Sequence, residues 1–127
     1  MSIHSINHVQ LTFDVDRRDQ VRHFYGTLVG LTELHQPTGP GLRFIAGSQR
    51  VDLVPASQAQ PGGGHVAFEV QNLPRLRHQL LQADVALEEH QPLPGYLRFY
   101  VNDPAGNRLE FLEPDRIRPT SYEHPGA

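Results

Sequence analysis

An internal repeat constrains this chain more than any other feature. His8-Val9-Gln10-Leu11-Thr12-Phe13-Asp14-Val15 is echoed by His65-Val66-Ala67-Phe68-Glu69-Val70. Further on, Gln49-Arg50-Val51-Asp52-Leu53-Val54-Pro55 is echoed by Asn107-Arg108-Leu109-Glu110-Phe111-Leu112-Glu113-Pro114. Forty-four positions separate His8 from Asp52, and forty-five separate His65 from Glu110. Each half opens with a histidine on an apolar strand and closes with a carboxylate on another. Pseudo-symmetric halves can bring such residues to a shared centre. Two imidazoles with one or two carboxylates make a ligand set for a divalent metal.

Each half reads as βαβββ. Residues 7–15 alternate, with Val9, Leu11, Phe13 and Val15 on one face and His8, Gln10 and Thr12 on the other. Asp16 is the expected helix N-cap, with Asp19 as the acid three residues on. Val21, Phe24, Tyr25 and Leu28 form the stripe of an amphipathic helix that Gly30 closes. Strands are expected near 32–36, 42–46 and 50–54, with turns at Gly39-Pro40-Gly41 and Gly47-Ser48. Residues 57–64 read as a linker. The second half begins with a strand over 65–71. Asn72 then caps a helix near 73–84, with Leu73, Leu76, Leu80 and Leu81 on its apolar side. Strands near 85–89, 96–102 and 107–113 complete it, and Asp103-Pro104-Ala105-Gly106-Asn107 is the loop before the last. The tail from Asp115 has no pattern.

Strand parity sorts the residues chemically. Val9, Leu11, Val51, Leu53, Leu97, Phe99, Leu109 and Phe111 share the helix-covered parity. The opposite parity holds His8, Gln10, Asp52, His65, Arg98, Tyr100 and Glu110. A sheet curved around that second face forms a polar pocket.

At 127 residues the chain has the length of one domain, and 38% hydrophobic residues suffice for a core. The net charge of −3 comes with no basic block, which argues against nucleic acid as a partner. No apolar run is long enough to span a membrane. With no cysteine, disulfides, thiolate ligands and a cysteine nucleophile are excluded. The N-terminus shows no secretory signal, and a cytoplasmic protein is expected.

These residues resemble the vicinal oxygen chelate superfamily, which includes glyoxalase I, fosfomycin-resistance transferases, extradiol dioxygenases and bleomycin-binding proteins. The resemblance spans roughly residues 5–114. It is carried by Gly64-His65-Val66-Ala67-Phe68, by Asp103 through Phe111, and by Val21-Arg22-His23-Phe24-Tyr25 through Leu31. It implies an α+β fold, with two βαβββ modules forming a curved mixed sheet around a central pocket. Module one would run from about 5 to 56 and module two from about 65 to 114. The family's metal ligands match His8, His65 and Glu110. Asp52 falls where some members place a fourth ligand, but it is one methylene shorter than glutamate. An ion pair with Arg50 or Arg98 is its alternative role. Tyr100 matches a tyrosine with which fosfomycin transferases contact substrate. Those enzymes carry a threonine at the place of Gln10, which here can orient a water or substrate.

The resemblance implies a metal-dependent enzyme holding Mn, Fe, Ni, Zn or Co. Its substrate is a small molecule chelated through adjacent oxygens. Lyase, isomerase, thiol transferase and dioxygenase chemistries share this ligand set. Arg98 is a candidate for an anionic substrate group, and Asp52, Gln10 and Tyr100 for proton transfer or positioning. The alternative is a non-catalytic protein that sequesters a small molecule or antibiotic, as bleomycin-binding relatives do. A homodimer is expected in either case. The remaining histidines, His90 among them, are expected at the surface, Glu69 and Glu113 as rim charges, and Gly62-Gly63-Gly64 as linker.

Overall fold

Strands form over most of the alternating stretches, and helix over those that repeat every three to four residues. The computed structural model describes residues 5–36, 38–56 and 65–115. The element order is β1 (His8–Asp14), α1 (Arg18–His23), β2 (Thr32–Glu33), β3 (Leu42–Ala46), β4 (Gln49–Ala56), β5 (Val66–Glu69), α2 (Leu73–Gln82), β6 (Tyr96–Asn102) and β7 (Arg108–Pro114). The fold is α+β, with two mixed sheets of order β1-β4-β3-β2 and β5-β7-β6. The chain packs as two compact units. Among the described residues, one comprises those up to 56 together with 102–107, and the other 65–101 with 108–115. The expected linker 57–64, the tail beyond Asp115, His4 and His124 lie outside the described residues.

In the first unit β1 and β4 are parallel, with Val9 opposite Val51, Gln10 opposite Asp52 and Leu11 opposite Leu53. β3 runs antiparallel to β4 and sets Phe44 against Val51 and Arg43 against Asp52. Because side chains alternate between faces, this register puts Leu42, Phe44, Val51 and Leu53 on one face, all at most 2% exposed. Val21, Phe24, Tyr25 and Phe13 are buried as well. Each fully buried Leu, Phe or Val contributes about 1.5–3 kcal/mol. Gly47 takes a left-handed φ of 61°, as a two-residue hairpin turn demands.

The first helix departs from expectation at both ends. It opens with a 3-10 turn at Val15–Arg17, and no side chain caps it, Asp16 included. The chain leaves β1 directly into helix, so Asp16 already lies inside the turn. Phe24–Leu28 widens into a π turn, with Val29 N donating to Phe24 O at 2.9 Å. Gly30, at φ 86°, then lets Leu31 N reach Tyr25 O at 2.9 Å.

Residues 102–107 pack within this first unit, and Asp103 is the reason. Its carboxylate accepts from Tyr25 Oη (2.5 Å), Ala105 N (2.9 Å), Asn107 N (2.8 Å) and Asn107 Nδ2 (2.9 Å). Asn107 Nδ2 also donates to Thr12 O at 2.9 Å. Burial, with the adjacent carboxylate adding to it, raises the Tyr25 phenol well above its ordinary pKa, so Tyr25 stays a donor.

In the second unit β5 and β7 are parallel, with Phe68 opposite Phe111 and Ala67 opposite Glu110. Phe68 and Phe111 stack at 5.5 Å. Leu73, Leu76 and Leu80 of α2 are buried with Phe99, Leu109 and Phe111. Leu81 and Leu97, expected in the core, are 50% and 44% exposed. Leu81 sits one position past the buried stripe, and Leu97 lies near the start of β6. Asn72 caps α2 as expected, its side chain accepting from Arg75 N. Glu113, expected as a rim charge, takes the N–H groups of Asn72 (2.7 Å) and Leu73 (2.9 Å) and so satisfies two donors at the helix start. The strand expected over 85–89 reduces to one bridge, Glu88 to Tyr100, and that over 32–36 to Thr32–Glu33.

Candidate functional site

The carboxylates that close the two halves, Asp52 and Glu110, are each 6% exposed. A buried carboxylate must be paired or bound to a cation, and the two units meet that demand differently.

In the first unit Asp52 is held by arginines on both sides. Arg50, two residues back on β4, donates from Nε to Oδ1 (2.8 Å) and from Nη2 to Oδ2 (3.0 Å). Arg43, directly across on β3, brings Nε to within 3.2 Å of Oδ1. Both carboxylate oxygens are engaged, and two positive charges face one negative. A dication at this carboxylate would meet net repulsion, so Asp52 does not fit as a direct metal ligand. The ion pair with Arg50 was one of its two expected roles; Arg43 was not anticipated. Gln10 is exposed and lies opposite Asp52 across the β1–β4 pair. His8 is exposed, and its Nδ1 pairs with Asn7 Oδ1 at 2.9 Å. Holding one ring nitrogen in this way directs ligation to the other.

The second unit brings four of the expected residues together. His65 Nε2 lies 2.8 Å from Glu110 Oε1. Arg98 Nη1 donates to Glu110 Oε2 (3.4 Å) and to Tyr100 Oη (3.3 Å), and Arg98 Nη2 donates to Gln91 O (2.9 Å). The His65 ring packs edge-on against Tyr100 at 5.3 Å. Two further residues, Arg108 and His90, complete the cluster. Arg108 stacks over the Tyr100 ring at 4.4 Å and donates to Glu88 Oε2 and His90 Nε2, both at 2.9 Å. His90, expected at the surface without a role, packs edge-on against Tyr100 at 4.6 Å. Arg108 holds the carboxyl of exposed Glu88 below the usual carboxylate range through its hydrogen bond, with His90 adding to it. Arg108 shares the parity of Glu110 two residues on, so strand alternation could have found it. His90 carries no such signal, because residues 89–95 form no strand.

His65 and Glu110 fit neighbouring positions on one metal ion. Bonds of about 2.0–2.2 Å at a right angle put two donor atoms about 3 Å apart, close to the 2.8 Å observed. Among the described residues no group of three His, Asp or Glu forms a metal cluster. The pair by itself falls short of such a set.

This α+β fold recurs among solved structures. A glyoxalase family protein from Bacillus anthracis is 30% identical, with a TM-score of 0.82 over 91% of this chain and 98% of that one. The chain belongs to the vicinal oxygen chelate superfamily. Lactoylglutathione lyase from Agrobacterium tumefaciens shares the fold at 22% identity (TM-score 0.72, covering 89% of this chain and 96% of that one). So does an antibiotic-binding protein from Streptomyces at 17% identity (TM-score 0.71, covering 91% and 99%). No family model and no curated protein matches the chain. The superfamily thus contains both enzymes and binding proteins on one scaffold, and fold alone does not choose between them.

Proposed function

We propose that this chain is a metal-dependent enzyme of the vicinal oxygen chelate type, acting on a small substrate with adjacent oxygens. The observation that carries the reading is the 2.8 Å approach of His65 Nε2 to Glu110 Oε1, on a buried carboxylate that keeps one short partner. His65 and Glu110 are the metal ligands of module two, and His8 is the third, supplied by a module one of the same chain or of a second copy. A divalent ion (Mn, Fe, Ni, Zn or Co) held there supplies Lewis-acid stabilisation of charge developing on a substrate oxygen.

The chain's own residues bind and orient. Tyr100 offers a hydroxyl fixed by Arg98 and by the rings of His65 and His90. Arg98 has donors for an anionic substituent of the substrate. Gln10 offers an amide beside Asp52, which we assign to holding Arg43 and Arg50 rather than to ligation. We place the protein in the cytoplasm as a homodimer, which sedimentation measures. No helix of the described residues is long and apolar enough to cross a membrane.

One observation favours a second reading. The Arg98 guanidinium lies 3.4 Å from Glu110 and opposes a dication, as suits a binding protein that works without metal, in the manner of the antibiotic-binding neighbour. Metal content by elemental mass spectrometry, followed by titration with Mn, Fe(II), Ni and Zn, separates the two. The enzyme reading expects about one ion per chain, and a loss of affinity of more than about 100-fold in His65→Ala and in Glu110→Ala. Asp52→Asn should leave affinity unchanged. No binding of any of the four ions by the wild-type protein would sink the metal mechanism and favour sequestration.

A further inference from the structure

The two arginines that hold Asp52 carry one positive charge more than that carboxylate cancels. Arg43, Asp52 and Gln10 stand in one row across β3, β4 and β1, and Arg50 and His8 stand in the next. This register puts all five side chains on one face of the first sheet. Arg43 Nε and Arg50 Nε lie 3.2 Å and 2.8 Å from the same oxygen, Oδ1. Arg50 gives Nε and Nη2 to Asp52 and keeps Nη1 without a partner among the described residues. Arg43 is close enough to Asp52 for attraction but is not aligned for a hydrogen bond, and its Nε is buried and unpartnered. Its Nη1 and Nη2 also lack partners among the described residues, and these two atoms, like Nη1 of Arg50, are not buried. Three guanidinium N–H groups on one sheet face therefore reach solvent with nothing to donate to. His8 and Gln10 beside them are exposed. The other acid of this parity in the first sheet, Asp14, lies four residues past Gln10, about 13 Å along β1.

We propose that this face binds the carboxylate of a small molecule through the free Nη groups of Arg43 and Arg50, with the Gln10 amide beside them. The charge count favours a monoanion. Two guanidiniums and Asp52 leave one surplus positive charge, which one carboxylate cancels. A dianion would leave excess negative charge next to a carboxylate that is itself 6% exposed. A planar pair of acceptor oxygens also suits guanidinium donors. Asp52 gains a purpose from this reading: it fixes both arginines before the ligand arrives, which lowers the ordering cost of binding. His8 stands directly opposite Arg50 on the neighbouring strand, about 4.8 Å away at the backbone. The bound carboxylate thus lies beside the histidine assigned to the metal. On the metal-dependent reading proposed above, on which this last step rests, the substrate is a carboxylic acid. Arg43 and Arg50 anchor its carboxylate, and its adjacent oxygens are left for the metal.

Acetate is the probe and acetamide its uncharged counterpart, each added to the metal-free full chain at constant ionic strength. Backbone amide and arginine Nε–H NMR signals follow the binding. Acetate should shift the signals of Arg43, Arg50 and Gln10 saturably. A Kd on the order of 10 mM is expected, weak because both arginines are partly exposed. Acetamide should give no saturable shift. Arg43→Gln leaves the Arg50–Asp52 pair in place and should weaken acetate binding about tenfold. If that variant does not fold, Arg43→Lys, which keeps the charge but loses the planar fork, should also bind more weakly than wild type. Arg22→Gln removes a guanidinium paired with Glu33 instead, and it should bind acetate as wild type does. So should His65→Ala. Absence of saturation by about 100 mM acetate, or unchanged affinity in the Arg43 variants, would overturn the proposal. Equal weakening in Arg22→Gln would overturn it by showing diffuse charge attraction only, and loss of binding in His65→Ala by placing acetate in the second unit. No metal is present in this experiment, so its failure leaves the metal titration of His65→Ala and Glu110→Ala untouched. Failure of that titration would in turn leave the carboxylate site standing and remove only its assignment to the substrate.

Discussion

The two halves repeat a sequence pattern but use its closing carboxylate in opposite ways. Asp52 is clamped by Arg43 and Arg50, with both oxygens taken at 2.8–3.2 Å. Glu110 has one short partner, His65, and one long one, Arg98, at 3.4 Å. The arginine equivalent to Arg50 is Arg108, which turns instead to Glu88, His90 and the face of Tyr100. A single diverted guanidinium therefore separates a carboxylate with both oxygens paired to arginine from one with a single short partner. Repeats diverge most cheaply at such points, where a change of partner leaves the strand register intact.

The turns diverge as well, and they offer the largest test. In the first half an exposed two-residue turn, Gly47-Ser48, joins β3 to β4. In the second half the equivalent loop carries Asp103, which is 4% exposed and accepts four hydrogen bonds. Asp103→Ala strands the buried hydroxyl of Tyr25 and the amide of Asn107. We expect a loss of about 3–5 kcal/mol in urea unfolding. Ser48→Ala should stay within about 0.5 kcal/mol of wild type. Equal effects would show that the two turns do the same structural job.

The carboxylates give the next test. Asp52→Asn removes the charge between two arginines whose side chains are 37% and 29% exposed. Solvent screens part of the loss, so about 1–2 kcal/mol is expected. Glu110→Gln loses only a long contact to Arg98 and keeps a hydrogen-bonding group for His65. About 0.5–1 kcal/mol is expected there. Unfolding of the two variants side by side checks the order. If Glu110→Gln proves the more destabilising, Glu110 is the brace and its availability for chemistry is in question.

Much of this contrast was legible in the sequence. The repeat aligned His65 with His8 and Glu110 with Asp52, and strand parity placed Arg98 and Tyr100 with them; His65, Glu110, Arg98 and Tyr100 all meet. Arg50 stands two residues from Asp52 on one strand, so alternation alone pairs them. Arg43 needed one further step. A two-residue turn at Gly47-Ser48 pairs Ala46 with Gln49, which carries Arg43 opposite Asp52. Glu113 was misread because the helix start it serves lies some forty residues away, and no local pattern marks such a partner. The strand expected over 85–89 failed for a related reason. Its apolar residues alternate correctly, yet one bridge at Glu88 is all the pairing it makes. Side-chain contacts from Arg98 and Arg108 hold residues 88–91 beside Tyr100 instead.

Those contacts supply the smallest and most specific test of the diverted arginine. Arg108 holds Glu88 below its ordinary pKa of about 4.5, first through its hydrogen bond, with His90 adding to it. A carboxylate depressed in the folded state contributes stability that is present above its unfolded pKa. That contribution is lost as pH falls from about 4.5 through the lower folded value. Glu88→Gln should therefore match wild type more closely at acid pH than at neutral pH, because only there has wild type lost the charge too. The effect is small, since Glu88 is exposed and screened by solvent. Urea midpoints for both proteins across this range measure it. A gap between them that stays constant with pH would mean that Arg108 is held by the Tyr100 ring and His90 alone. The loss of a second arginine at Glu110 would then owe nothing to Glu88.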